Sequence, residues 1–143
     1  MKKIAIFFFI IIAIIALISY MYITYKMNYN QAKKENIEFE SYYEQEIYGT
    51  ELTTIINKAI DKNIINKVEK DKKGFYINND ENSINIDIKI TDNDNIYKME
   101  TLYQGEMKKF VEYYGQVKFK STKIEYHNST GKIKYMLFEQ ITE

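Results

Sequence analysis

The feature that most constrains this chain is an uncharged apolar run near its N-terminus. Two lysines precede the run, the residues from Ile4 to Ile18 are only Ile, Ala, Phe and Leu, and the next charge is Lys26. As a helix, Ile4–Tyr25 spans about 33 Å at about 1.5 Å per residue, which covers a hydrocarbon core of about 30 Å. Helices of soluble proteins seldom contain apolar runs this long. We therefore predict a transmembrane helix in residues 1–25.

A cleaved signal peptide is the main alternative, because it also combines a basic start with an apolar centre. Cleavage favours small residues at A-x-A spacing directly after that centre. The exit of the run contains Ser19, but Leu17 and the aromatic rings of Tyr20 and Tyr22 do not fit this spacing. The pattern therefore favours an uncleaved anchor, with a cleaved signal as the open alternative.

The orientation of the anchor rests on the flanking charges. Lys2 and Lys3 lie on one side of the run, and Lys26, Lys33 and Lys34 lie on the other, so the count of positive charges is nearly balanced. A short head with a basic start resembles a signal anchor. We therefore predict a single-pass protein of the cell membrane, with the N-terminus inside and the C-terminal domain outside the cytoplasm.

Residues 26–48 have the pattern of a helical stalk. Phe39, Tyr43 and Ile47 recur every four residues among mostly Glu, Lys and Gln, and no Pro separates this segment from the apolar run. We expect the membrane helix to continue into the stalk and to end at Gly49, which breaks the pattern.

A second helix is predicted after Gly49. Thr50 can cap this helix, and Glu51 lies in its first turn, where an acid is favourable. Its apolar side chains recur at i, i+3, i+4, i+7 and i+8, as expected for one helix face. They are Leu52, Ile55, Ile56, Ala59 and Ile60.

From Gly74 onward the apolar period changes from 3.6 to 2, which is typical of strands. The clearest case is the alternation of Ile84, Ile86, Ile88 and Ile90 with polar residues. The other predicted elements are strands at 75–77, 96–103, 117–126 and 132–138, a short helix at 105–114, a hairpin turn at 128–131 and a bulge near Ser121–Lys123.

Together these elements predict an α+β fold. It consists of an N-terminal transmembrane helix, a helical stalk, and a small antiparallel sheet of about four or five strands packed on one amphipathic helix. We divide the chain into a transmembrane signal anchor at 1–25, a helical stalk at 26–48 and an extracytoplasmic α+β domain at 49–143.

Composition excludes several kinds of site. The chain has no Cys, one His, 20 basic and 20 acidic residues, and every basic residue is Lys. Without Cys it has no disulfide, thiolate zinc site or thiol nucleophile. Its net charge of zero lacks the basic excess of a nucleic-acid-binding protein. We therefore predict no cofactor, no metal and no nucleic-acid partner.

Two polar segments offer oxygen ligands for a cation. Asp92–Asn95 would suit calcium in an extracellular setting. Counted from its first residue, the positions where an EF-hand has Gly and Glu hold Tyr97 and Tyr103. Asp and Asn are also the residues that turns prefer, so we interpret this segment and Asn79–Asn82 as turns.

His127 is the other candidate for chemistry. A general base needs a nucleophile and an orienting group. Ser129 and Thr130 are close in sequence, but we expect a hairpin turn to be exposed and predict no catalytic residue here. Asn128-Ser129-Thr130 also matches the glycosylation sequon, which an Asn-rich chain produces easily.

Tyrosine pairs and stalk acids complete the candidates. Tyr42–Tyr43 and Tyr113–Tyr114 are either interface anchors or core residues, and the pattern leaves both interpretations open. Catalytic carboxylate pairs need a rigid cleft, which a helix surface near a membrane does not supply. The stalk carboxylates are Glu38, Glu40, Glu44 and Glu46.

An apolar N-terminal helix, a helical continuation and a C-terminal antiparallel sheet together resemble the layout of type IV pilins and pseudopilins. The resemblance covers most of the chain and implies that the apolar helices pack together in a filament or secretion assembly. Those families usually have a leader ending in Gly and a Glu near the start of the apolar segment. Ile4–Tyr25 contains neither, and Gly49 interrupts the predicted long helix. The resemblance is one of layout and assigns no family.

We expect, in sum, a single-span membrane protein whose external domain serves binding or assembly through a protein partner or self-association. A pilin-like structural subunit is the first alternative. The second is an enzyme whose site forms only in three dimensions or at an oligomer interface.

Overall fold

The computed structural model describes residues 2–91 and 95–142 of the chain. Within these residues the chain forms four α-helices, of which the third has only three residues, five strands, and a π-helical turn before the last helix. Their bounds are α1 Lys2–Glu40, β1 Glu46–Tyr48, α2 Gly49–Ile65, β2 Asn85–Ile90, β3 Asn95–Lys98, α3 Met99–Thr101, the π-turn Leu102–Glu106, α4 Met107–Tyr114, β4 Lys118–Tyr126 and β5 Ile133–Gln140.

Helix α1 is one uninterrupted helix of 39 residues. The prediction that the apolar helix continues into the stalk is confirmed, but the helix ends at Glu40 and residues 46–48 form a strand instead. Glu44 has φ 60°, in the left-handed region, and reverses the chain direction. Ile47 then lies opposite Phe119 in β4 and is 4% exposed. Pairing with β4 and burial of Ile47 outweigh the helical pattern of this segment.

The sheet has five strands in the order β1-β4-β5-β2-β3. Three neighbouring pairs are antiparallel, as predicted, but β2 and β5 are parallel, so the sheet is mixed. The β4–β5 hairpin is confirmed, with a register shift between Ser121 and Lys123 where the bulge is predicted. Because this hairpin enters the sheet between β1 and β2, β5 becomes the neighbour of β2 with the same direction.

The core lies between one face of the sheet and helix α2. The five predicted apolar residues of α2 are at most 1% exposed. The predicted alternation in β2 is also confirmed, since Ile86, Ile88 and Ile90 are at most 2% exposed. Phe119, Met136 and Phe138, at 0% exposure, complete the inner face of the sheet. The α+β fold predicted from the sequence is therefore the observed one.

Three local predictions differ from the structure. Residues 75–77 form no strand, and Tyr76 makes only an isolated bridge with Lys70. The strand predicted at 96–103 ends at Lys98, because Met99 and Leu102 turn into the core as helical residues with at most 2% exposure. The helix predicted at 105–114 begins as α4 at Met107, after a π-turn in which Gly105 forms a kink.

Gly49 permits the close approach of α2 to the end of α4. A Cβ added there would overlap the backbone carbonyl of Tyr114. We expect Gly49→Ala to lower the free energy of unfolding by about 1–3 kcal/mol, the usual range for overpacking. Thermal unfolding of the full chain in detergent, followed by circular dichroism, measures this change.

The matched control is Gly105→Ala, because a Cβ added at Gly105 has no atom within 4 Å. Equal melting temperatures for the two variants would contradict the close approach at Gly49.

Candidate membrane interface

The N-terminal part of α1 is not buried by any other part of the described chain. Residues 3–31 are exposed, and the most apolar 18-residue window has a mean hydropathy of 3.0 with 0% of it buried. By length and composition this helix is able to cross a membrane. An exposed surface of this apolarity is unfavourable in water, which agrees with the predicted span.

The C-terminal part of the same helix is a core element. Ala32 is 3% exposed, Phe39 is 2% exposed, and Asn36 between them is 7% exposed. Phe39 belongs to the apolar core cluster beside α2 and the sheet. One face of residues 32–40, which belong to the predicted stalk, is therefore packed against the domain.

Asn36 attaches α1 to the hairpin between β4 and β5. Its Nδ2 donates to the carbonyl of Gly131 at 2.8 Å, and its Oδ1 accepts from the amide of Ile133 at 2.9 Å. The carboxamide thus satisfies two backbone groups at the start of β5, as a neighbouring strand would. We name this pair of bonds the Asn36 clamp.

An ion pair lies directly beside the clamp. Lys132 Nζ is 2.9 Å from Glu35 Oε2, and Gln31 Nε2 donates to Glu35 Oε1 at 2.9 Å. Burial raises the pKa of Glu35, but the bonds from Lys132 and Gln31 outweigh burial and leave the pKa below its usual value. The charged form of Glu35 is therefore favoured in the folded protein.

Two further contacts fix the end of α1. Tyr126 in β4 donates its hydroxyl to Glu40 Oε1 at 3.0 Å, and burial together with this carboxylate raises the pKa of Tyr126 to about 12. On the other side, Glu38 contacts Lys58 at 3.3 Å and Lys62 at 3.8 Å in α2. Being partly exposed, the Glu38 pairs add little free energy to this attachment.

The hairpin turn is the part of the sheet closest to the apolar segment. A cleft of about 510 Å³ separates residues 25–31 of α1 from residues 128–132 of the turn. Tyr25, the last residue of the apolar run, lines this cleft together with Lys132. The first buried residue of α1, Ala32, lies about 10 Å beyond Tyr25 at about 1.5 Å per residue. The domain therefore begins very close to the end of the apolar segment.

His127 differs from its predicted environment. It is 3% exposed rather than lying on an exposed turn, and its Nε2 is 2.7 Å from the carbonyl oxygen of Ser83. Because that oxygen only accepts, Nε2 must carry the proton. The burial of His127 follows from packing of the hairpin against the segment before β2. Its visible role is to join these two segments.

The rest of the turn is attached to the polar segment predicted at 79–82. Ser129 Oγ donates to the carbonyl of Asp80, and Thr130 Oγ1 donates to the carbonyl of Glu81 at 2.6 Å. Asn79 Oδ1 accepts from the amides of residues 81, 82 and 83 at 2.8–3.0 Å, which shapes this segment as a bend. Asn128 is exposed, so the sequon lies on an accessible surface.

The calcium-type segment falls mostly outside the described residues, which resume at Asn95, the first residue of β3. Within residues 2–91 and 95–142, no three His, Asp or Glu side chains come together as metal ligands.

Each tyrosine pair divides between core and surface. Tyr42 and Tyr114 pack against the core, whereas Tyr43 is 37% and Tyr113 is 72% exposed. Of the stalk acids, Glu38 and Glu40 contact the partners described above, and Glu46 pairs with Lys118 at 3.2 Å. The contacts of these acids are structural, and they do not converge in one cleft.

Sequence reasoning missed the buried asparagines. Asn63 has 0% exposure; its Nδ2 donates to the Ile84 carbonyl at 2.7 Å, and its Oδ1 accepts from the Ile84 amide at 2.8 Å. Asn63 follows Ile56 and Ala59 at helical spacing, and Asn36 lies four residues after Ala32. The sequence signal for both buried residues was an Asn side chain at a position within the apolar stripe of a helix.

Comparison with protein-family models, with curated proteins and with solved structures found no match to this chain.

We expect Asn36→Ala to lower the free energy of unfolding by about 2–4 kcal/mol, because it leaves the Gly131 carbonyl and the Ile133 amide unpaired. Amide hydrogen exchange of the full chain in detergent should also become faster at residues 131–133. Asn30→Ala, on the exposed face of the same helix, is the control and should change neither quantity. A variant of Asn36 with unchanged exchange at Ile133 would contradict the clamp.

The ion pair of Glu35 predicts an acid-dependent stability. Since its folded pKa lies below its usual value of 4.5, its contribution is present above that value and is lost as the pH falls through the folded pKa. The melting temperature of the native chain should exceed that of Glu35→Gln at pH 7, and the gap should shrink toward about pH 2. Glu112→Gln, at an exposed residue, should show no gap at either pH. A gap that widens on acidification would refute this sign.

Proposed function

We propose that this chain is a single-span membrane protein whose helix α1 crosses the bilayer and holds a small α+β domain outside the cytoplasm, where the domain serves binding or assembly. The observation that carries the proposal is the double character of α1. Its N-terminal part is exposed and apolar, and one face of its C-terminal part is buried against the domain. No turn separates the two parts.

This continuity supports a presenting role. A flexible linker would let the domain sample many heights and orientations. Here the distance from Tyr25 to the first buried residue is about 10 Å of helix, and the Asn36 clamp fixes the rotation of the domain about that helix. Such a domain offers the same surfaces at the same height to neighbours in its membrane. That property suits assembly and binding at a membrane surface.

The polar interior supports a non-catalytic role. Among the described residues, the buried side chains of His127 and Glu100 each bind backbone: His127 bonds the carbonyl of Ser83, and Glu100 accepts from the amide of Tyr76 at 2.9 Å. These bonds use both groups for structure. The proposed orientation is supported by the basic head at Lys2 and Lys3.

Protease treatment of intact cells carrying a C-terminal tag tests location and orientation together. We expect the tag to remain in the membrane fraction after carbonate extraction and to disappear when protease is added outside. A membrane-bound but protected tag would reverse the orientation, and a tag found only in the medium would indicate a cleaved signal.

Ile14→Lys tests the span itself, because a lysine at the centre of a transmembrane helix costs about 2.5–3.5 kcal/mol of insertion free energy. This variant should lose carbonate-resistant membrane association. Ile96→Lys is the matched control, since Ile96 is 57% exposed on the edge strand β3.

A pilin-like structural subunit is the second candidate, and the uninterrupted 39-residue helix with a sheet on its C-terminal half favours it. It differs from the first proposal in two outcomes. It requires removal of residues from the N-terminus of the mature chain and cross-links between the apolar halves of neighbouring α1 helices. An intact Met1 in the mature protein would count against it.

A further inference from the structure

We propose that the cleft between Tyr25–Gln31 of α1 and the hairpin turn Asn128–Lys132 binds the phosphate of a membrane phospholipid headgroup. This inference rests on the proposed function, because the cleft meets headgroups only if α1 spans the bilayer. We name it the headgroup cleft.

The position of the cleft supports this occupant. Tyr25 ends the apolar run, and Gln31 lies about 9 Å further along the helix at about 1.5 Å per residue. The headgroup layer extends about 5–7 Å beyond the hydrocarbon core on each side of a bilayer. With Ile4–Tyr25 in the core, residues 26–31 and the turn facing them lie at the level of lipid phosphates. A soluble ligand would have to displace lipid headgroups to enter.

The lining of the cleft matches a phosphate. It contains two phenols, three carboxamides, two hydroxyls and one lysine, and no carboxylate. These residues are Tyr25, Asn28, Tyr29, Gln31, Asn128, Ser129, Thr130, Gly131 and Lys132. Phosphate oxygens accept hydrogen bonds and are favoured near a cation. The lining therefore offers hydrogen-bond donors to an acceptor-rich anion, and its one cation, Lys132, is paired with Glu35 at 2.9 Å.

Two carboxamides of the lining are not used by the protein, whereas other donors are. Ser129 and Thr130 donate to backbone carbonyls, Gln31 donates to Glu35, and Lys132 pairs with Glu35. Within the part of the chain that the structure describes, the side chains of Asn28 and Asn128 have no protein partner. These two carboxamides lie on opposite sides of the cleft. A phosphate between them would bond to α1 and to the turn at once.

The same end of the domain also carries exposed apolar residues. Ile64 is 56% and Ile65 is 73% exposed at the C-terminal end of α2. The next residue, Asn66, donates to the carbonyl of Asn82 at 3.0 Å, in the segment that holds the hairpin turn. Exposed isoleucines beside a polar cleft suit an interfacial surface, where apolar side chains reach the lipid and polar groups reach the headgroups.

Native mass spectrometry of the full chain, released from mixed micelles, tests the proposal. One micelle contains phosphatidylglycerol, and the other contains a phosphate-free diacyl glycolipid. We expect the chain to retain phosphatidylglycerol at least about tenfold more than the glycolipid, since one hydrogen bond to a charged group corresponds to about tenfold in affinity. Equal retention of the two lipids would overturn the proposal.

The variant Asn28→Ala/Asn128→Ala should lose this preference. Both residues are exposed, so the variant is expected to fold, and circular dichroism checks this. Asn30→Ala/Asn57→Ala, at exposed asparagines outside the cleft, is the matched control and should retain phosphatidylglycerol like the native chain. A cleft variant that retains phosphatidylglycerol as well as the control would also overturn the proposal.

Carbonate extraction of the same chains from vesicles separates the two levels of failure. If the native chain inserts but shows no lipid preference, only the headgroup cleft is refuted. If the native chain does not insert, the proposed span fails and the headgroup cleft fails with it.

Discussion

The Asn36 clamp, which is the pair of hydrogen bonds from the Asn36 carboxamide to the backbone at Gly131 and Ile133, is the constraint on which the placement of α1 on the sheet depends. It joins the helix with the long apolar surface to the centre of the sheet, because β5 lies between β4 and β2. A buried carboxamide whose NH₂ and oxygen are both hydrogen-bonded stabilises the fold. It also selects one orientation of α1, because any rotation of α1 would leave two backbone groups unpaired. The end of α1 is thereby fixed in register with the hairpin.

This constraint changes what the apolar segment does for the domain. A membrane helix followed by a loose stalk would only limit diffusion to the bilayer. In the proposed span, a helix with one face packed into the core fixes which end of the domain lies next to the lipid. Here that end consists of the hairpin turn, the bend at 79–82 and the C-terminus of α2, which are bonded to one another. The proposed phosphate site is a consequence of that fixed placement.

The uncovered face of the sheet has the opposite character. Lys89 pairs with Glu139 across β2 and β5 at 3.4 Å, and Lys120 lies beside Glu139 and Glu46 in the neighbouring strands. Alternating charges on adjacent strands satisfy one another and favour solvent over an apolar partner. This face therefore favours solvent, which agrees with the proposed interface lying at the end of the domain that carries the hairpin turn.

Sequence and tertiary structure determined different parts of this protein. Local periodicity by itself determined the apolar helix, the α2 stripe from Leu52 to Ile60, the isoleucine alternation in β2 and the β4–β5 hairpin, because burial of one face imposes a period on neighbouring residues. The strand at Glu46–Tyr48, the parallel pairing of β2 with β5, the burial of His127 and the Asn36 clamp were decided only by packing. Each of these features depends on strand order or on partners between 44 and 97 residues away. A short sequence window does not contain the information about which distant backbone N–H or C=O group will need a hydrogen-bond partner.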